Sequence, residues 1–278
     1  MSLRNGARLT STADGAGRGD FGRALRAEWT KLRTAGETGR LLLLAVALTV
    51  AVGFGAAKAV KCPDAGCGQD AVKLALTGVT VGQAVVAVLA VVAVSGEYGT
   101  GMIRTTLMAM PNRIIVLTAK ATILSTVVLA SGTAAVLVSL LACRYILPGN
   151  GFTEAHGYAL LSLADGPTLR AAVGSVLYLV LVALIGLGVA TAVRDAASAT
   201  GIVLGLLYLF PVVTRVVNDP EWQRHLQQIS PMTAGLAVQV TVHLGELPIG
   251  PWAGLGVLAL WAAAAMLLGS LLLHRRDG

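Results

Sequence analysis

The residues able to do chemistry are few and scattered. Four histidines, His156, His225, His243 and His274, fall in polar connections or at the end of the chain. Ser95-Gly96 and Ser131-Gly132 sit within apolar stretches, but neither stretch holds a histidine to take the serine's proton, as intramembrane nucleophilic hydrolysis needs. There is no H-E-x-x-H zinc motif and no G-x-x-x-x-G-K-[ST] phosphate loop, so the chain does not cradle a nucleotide in that way. The apolar stretches carry no carboxylate, so a relay for proton- or sodium-coupled transport is missing. Cys62 and Cys67, in KCPDAGCGQD, are placed for a disulfide in an oxidising compartment, with two free thiols as the alternative. Two thiols are too few for a structural zinc site. Cys143 reads as packing. The pattern argues against an enzyme and calls for no metal or cofactor on this chain.

The elements around these residues are set by hydropathy. Only 13% of the 278 residues are charged, against about a quarter in soluble domains, and the mean hydropathy is +0.76. Charge-free runs cover Leu41–Ala57, Leu74–Gly96, Ala121–Cys143, Ala171–Val193, Ala196–Thr214 and Pro251–Leu273, each 17 to 23 residues long. About 20 apolar residues cross a bilayer. Charges flank most runs (Arg40 and Lys58, Lys73 and Glu97, Lys120 and Arg144), where they reach the headgroups. Scarce aromatics and abundant Ala, Val, Leu and Gly favour packed helices over a sheet. The fold expected is an all-α integral membrane protein of six transmembrane helices, a single domain over 21–278.

Basic residues orient it. With the N-terminus inside, segments 1–40, 97–120, 194–195 and 274–278 face the cytoplasm and hold 14 of the 21 lysines and arginines, but 7 of the 14 acidic residues. The net charge of +7 then lies on one side, as the positive-inside rule asks. Both termini are expected in the cytoplasm, and the basic balance needs no nucleic-acid partner. No cleavable signal peptide is visible, so the first span is expected to act as its own insertion signal.

Residues 1–20 lack apolar periodicity and read as a disordered tail. In FGRALRAEWTKLRT, residues 21–34, Phe21, Leu25, Trp29 and Leu32 share an arc of about 80° on a helix, with Arg23, Arg26, Lys31 and Arg33 opposite. That pattern suits an amphipathic helix on the membrane surface, its basic side toward anionic lipid; a solvated linker is the alternative. In the loop after the second span, GEYGTGMIRTTLMAMPNR, glycines turn the chain and Met102–Met110 forms a short helix too apolar to stand in water, so it needs a partner. Glu97 is expected to hold the loop's base by pairing with a cation, on Arg104 or on that partner, or else to be a plain boundary carboxylate. The 36 residues between the fifth and sixth spans include a nearly apolar stretch, Met232 to Val242, long enough to dip in and return but not to cross. Gly78-x-x-x-Gly82 and Gly201-x-x-x-Gly205 allow close helix approach, either between subunits or within one bundle.

RAEWTKLRT before the first span, GEYGTGMIRTTLMAMPNRIIVLTAK after the second and SPMTAG before the last together resemble the type-2 ABC export permeases, particularly those of actinomycetes. The resemblance covers about residues 25–275. It implies a permease in the bacterial plasma membrane that pairs with a second permease subunit, as homodimer or heterodimer, and docks on a separate cytoplasmic ATP-binding protein that carries ATP and Mg. Membrane lipids are the surrounding partner. By this resemblance Glu97, Gly101, Met102, Ile103, Arg104, Leu107 and Met110 belong to the ATPase-coupling loop, Phe21–Thr34 is the interfacial helix, and Ser230–His243 is a re-entrant outer segment. The second and fifth spans line the pathway. Gly99 departs from the pattern, where a bulkier polar residue, often Arg, is expected. A membrane anchor or sensor that binds an ATPase without moving substrate is the alternative. The sparsely polar spans favour an amphipathic or lipid-like substrate.

Overall fold

The structure is a computed structural model that describes residues 21–31, 33–34, 36–63, 67–99 and 113–276. Residues 1–20, Leu32, and Gly101, Met102, Ile103, Arg104, Leu107 and Met110 of the loop lie outside the described residues. Among those described there is no strand. Helix α1 covers 21–31. Then come α2 (Gly36–Ala59), a short α3 (Ala71–Ala75), α4 (Val79–Gly99), α5 (Arg113–Ile146), α6 (Gly166–Val193) and α7 (Ala196–Val216). Two short helices, α8 (Pro220–Ile229) and α9 (Pro231–Leu236), precede α10 (Pro251–Arg276). Among the described residues, helices α2, α4, α5, α6, α7 and α10 are the six long and apolar enough to cross a membrane.

Polar residues between the helices start them. Asp70 caps α3 at Lys73 N (3.0 Å), Asp195 caps α7 at Ser198 N (2.8 Å), and Asp219 caps α8 at Glu221 N (2.9 Å). Such a carboxylate satisfies amide donors that the first turn leaves open. The Ser198 amide also holds the Asp195 carboxyl below the usual range. The α6–α7 connection is only two residues, which Arg194 makes possible by taking a left-handed backbone (φ 67°).

Helix α6 is the hub. It packs on α10, α4, α5 and α7, and 67% of its apolar window is buried, against 17% for α7. The helices alternate in direction, so the bundle has two ends. At the first, the α1 end, α1, Glu97, Lys120 and the close of α10 meet, and Arg113 donates to Leu273 O (2.9 Å). At the second, the disulfide end, Cys62 and Cys67 are bonded to each other, and Cys62 N donates to Asn150 O (2.8 Å).

The second apolar run differs from the continuous span expected over 74–96. It breaks at Leu76–Gly78 between α3 and α4. Here the chain lies hard against α2: a Cβ at Gly78 would stand 1.8 Å from the carbonyl oxygen of Thr49, and one at Gly82 would stand 2.0 Å from Thr49 Oγ1. The G-x-x-x-G pair therefore presses α4 onto α2 within one chain. Gly201 and Gly205 face outward on α7, with nothing within 4 Å.

Candidate functional site

Among the described residues, the most heavily charged buried site lies at the α1 end. Side chains at 24, 28 and 31 share one face of α1, and that face turns into the bundle: Ala24 and Glu28 are buried and Lys31 is half-buried. Glu97 comes from the last turns of α4 and Lys120 from the third turn of α5. The four close into a ring of alternating charge. Lys120 Nζ donates to Glu28 Oε2 (2.7 Å) and to Glu97 Oε1 (2.8 Å). Lys31 Nζ donates to Glu28 Oε1 (2.8 Å) and to Glu97 Oε1 (2.9 Å). The side chains of Glu28, Lys120 and Glu97 are only 5, 9 and 10% exposed. Val94, Val116, Leu117 and Leu273 wall the Glu97–Lys120 side with aliphatic groups.

An isolated ion in such a place costs several kcal/mol, and only close counter-charges with good hydrogen bonds repay it. Two carboxylates and two ammonium groups balance, so the ring exists as a set or at a large penalty. Burial works against the charge on Lys31, but the bonds and fields of Glu28 and Glu97 outweigh it and raise its pKa above the ordinary lysine value. Glu97 Oε2 is buried and has no hydrogen-bond partner among the described residues.

Among the described residues the cations of Glu97 are Lys120 and Lys31; Arg104 lies outside them. This geometry corrects two expectations. Lys31 does not join Arg23, Arg26 and Arg33 on an outward basic side; only those three arginines stay exposed. Lys120 is not a boundary charge reaching for headgroups, because α5 begins seven residues earlier and turns it inward. The physical reason is common to both: α1 is rotated until its Glu28 meets a counter-charge on α5. Phe21 and Leu25 are half-buried beside this face, and Trp29 is 49% exposed.

The other sequence-derived residues lie elsewhere. Ser230 and the segment through Gln239 insert between α6 and α10, where the backbone at Gly235 lies on the ring of Tyr178. Tyr178 donates to Gln83, and both are fully buried. Beyond Val240 the chain is held at the disulfide end, where Asp70 accepts from Thr241 N and from Thr241 Oγ1 (2.9 Å). Sequence reading missed Gln83, Tyr178 and Asp70; a lone Gln and Tyr inside apolar runs was the available signal. Among the described residues no three His, Cys, Asp or Glu side chains gather as a metal site. No protein-family model matches the chain, and no curated protein sequence matches it.

Proposed function

We propose that the chain is the transmembrane permease subunit of an ATP-driven ABC exporter in the bacterial plasma membrane. Two such subunits form the substrate pathway, and separate ATP-binding subunits hydrolyse ATP beneath them. The α1 end faces the cytoplasm and the disulfide end faces outside, where a disulfide persists. The outward glycines of α7 allow a second subunit to approach closely.

One observation carries the proposal. The buried ring takes Glu28 and Lys31 from RAEWTKLRT, and Glu97 and Lys120 from the segment beginning GEYGTG and ending LTAK. These are the two segments on which the resemblance rests. Glu97 and Lys120 also bracket the loop assigned to the ATPase, so force on that loop reaches α1, α4 and α5 as one body. Along α4, Gln83 lies fourteen residues from Glu97, about 21 Å away on nearly the same side. Movement of α4 therefore reaches Tyr178 and the inserted segment.

The test is co-expression with candidate ABC ATP-binding proteins from the same organism, followed by purification and reconstitution into vesicles. ATP-dependent flux of an amphipathic dye supports the proposal. An ATPase that copurifies but drives no flux of any amphipathic substrate points to the anchor reading, and no copurification refutes both.

A further inference from the structure

Between α5 and α6, on the flank of the bundle, runs an apolar groove of about 260 Å³. Its rims are Leu129 and Leu137 on α5 and Val173 and Leu177 on α6, each between 37% and 48% exposed. Its floor is buried, with Val136 at 1% and Val176 at 9%. Within its length the two helices come close at Gly132, where an added Cβ would lie 3.3 Å from Leu179 Cδ1. Leu163 of the α5–α6 connection lines the end nearer the disulfide.

Depth follows from α5 itself. Tyr145 is 82% exposed at the disulfide end of this helix, as an aromatic at headgroup level is. Leu137 and Leu129 lie eight and sixteen residues further in, about 12 and 24 Å along the axis. The groove is thus at hydrocarbon depth, where neither water nor a polar ligand fills it. Its volume is below the roughly 300–1,000 Å³ of drug-sized sites, which suits a single flexible chain better than a ring system.

Arg144 supplies the second half. At 100° per residue it falls within about 20° of the direction of Thr133, in the middle of the groove-lining face of α5. It is exposed, and its Nη1 is fixed by donation to Leu161 O (3.2 Å), two residues from Leu163. Its other N–H groups have no protein partner among the described residues. Asp165, at the start of α6, is engaged in capping that helix through Thr168. A fixed guanidinium at headgroup level above an acyl-sized groove matches a phosphate joined to a hydrocarbon chain.

We propose that this groove binds one acyl chain of an anionic phospholipid, from the membrane half at the disulfide end, with its phosphate on Arg144. The site is independent of the transport reading and holds for any function of this membrane protein.

The test is native mass spectrometry of the full chain purified in detergent and supplied with phosphatidylglycerol or phosphatidylcholine. One phosphatidylglycerol should survive activation that strips the remaining lipid. Val173→Trp, which fills the groove from an exposed rim, should lose it, and Leu137→Phe does the same service if that variant fails to fold. Arg144→Gln should lower phosphatidylglycerol retention about tenfold, to the level of phosphatidylcholine. Leu260→Trp, at a 71% exposed position on α10, should retain it. Retention in both groove-filling variants overturns the proposal, as does equal retention of the two lipids by the unaltered chain or equal loss in Leu260→Trp.

Discussion

Lys120 Nζ stands 2.7 Å from Glu28 Oε2 and 2.8 Å from Glu97 Oε1, joining helices that are 92 and 23 residues distant in the chain. Replacing it with Met leaves two buried carboxylates facing each other across Lys31 alone. Breaking a buried set in this way costs about 3–5 kcal/mol. Lys120→Met should therefore lower the thermal midpoint in detergent sharply. Adding Glu28→Gln should recover part of the loss, because it restores charge balance between Lys31 and Glu97. A single variant that melts with the unaltered protein would show that the ring is not a stabilising set.

Glycine spacing gives a second prediction. At Gly78 an added methyl meets the Thr49 carbonyl, which cannot turn away; at Gly82 it meets the Thr49 hydroxyl, which has some freedom. Gly78→Ala should destabilise by about 1–3 kcal/mol, at the scale of overpacked cores, and by more than Gly82→Ala. Gly201→Ala, with open space around it, should leave the isolated subunit unchanged. Thermal melting of the three variants orders them, and a Gly201 variant as damaged as that of Gly78 would contradict the placement of α7.

What could be read from the sequence and what could not divide along a physical line. Six apolar helices were legible because desolvating some 20 consecutive side chains is decided locally, and charges must stay near the ends. The break at Leu76–Gly78 was hidden because those residues are as spanning-compatible as their neighbours. The ring was hidden because the apolar arc of Phe21, Leu25 and Trp29 and the face of Ala24, Glu28 and Lys31 lie side by side on one helix. Which face turns inward depends on a lysine almost a hundred residues away. The sequence points to Glu97 as a paired carboxylate, yet its cations among the described residues lie on α1 and α5, where sequence proximity gives no pointer.

The side of the membrane is open to a direct measurement. Cysteines at Ala155 and Asn218, exposed at the disulfide end, should react with an impermeant thiol reagent added to intact cells, and one at Thr34 should not. Ala155 is preferred to Asn150, whose side chain donates to Ala57 O (2.6 Å) and holds the α5 end in place. The native background suits the assay, since Cys62 and Cys67 are joined and Cys143 is buried. Labelling at Thr34 alone would invert the orientation.

The disulfide makes its own prediction in the same assay. The native protein should take up reagent at Cys62 or Cys67 only after reduction. Closing so short a loop stabilises by about 2 kcal/mol in the chain-entropy picture. Cys62→Ser with Cys67→Ser should lower the melting point modestly without loss of membrane insertion. Labelling without reductant would show free thiols.

The last prediction separates coupling from stability within the ring. Glu28→Gln with Lys31→Met removes one charge of each sign from α1 and leaves the Glu97–Lys120 pair intact between α4 and α5. The remaining pair is balanced, so the six spans should insert and the ATPase should still copurify. What is lost is the charge pairing of α1 with the base of the loop: the Lys31 contact to Glu97 goes, and Lys120 keeps a neutral amide oxygen at most in place of the Glu28 carboxylate. On the proposed function, ATP hydrolysis by the partner should persist while transported substrate per ATP falls several-fold. Flux and hydrolysis measured together on the same vesicles decide the matter. A parallel fall in both would mean that the ring only supports the fold, and an unchanged ratio at full flux would mean that α1 takes no part in transmission.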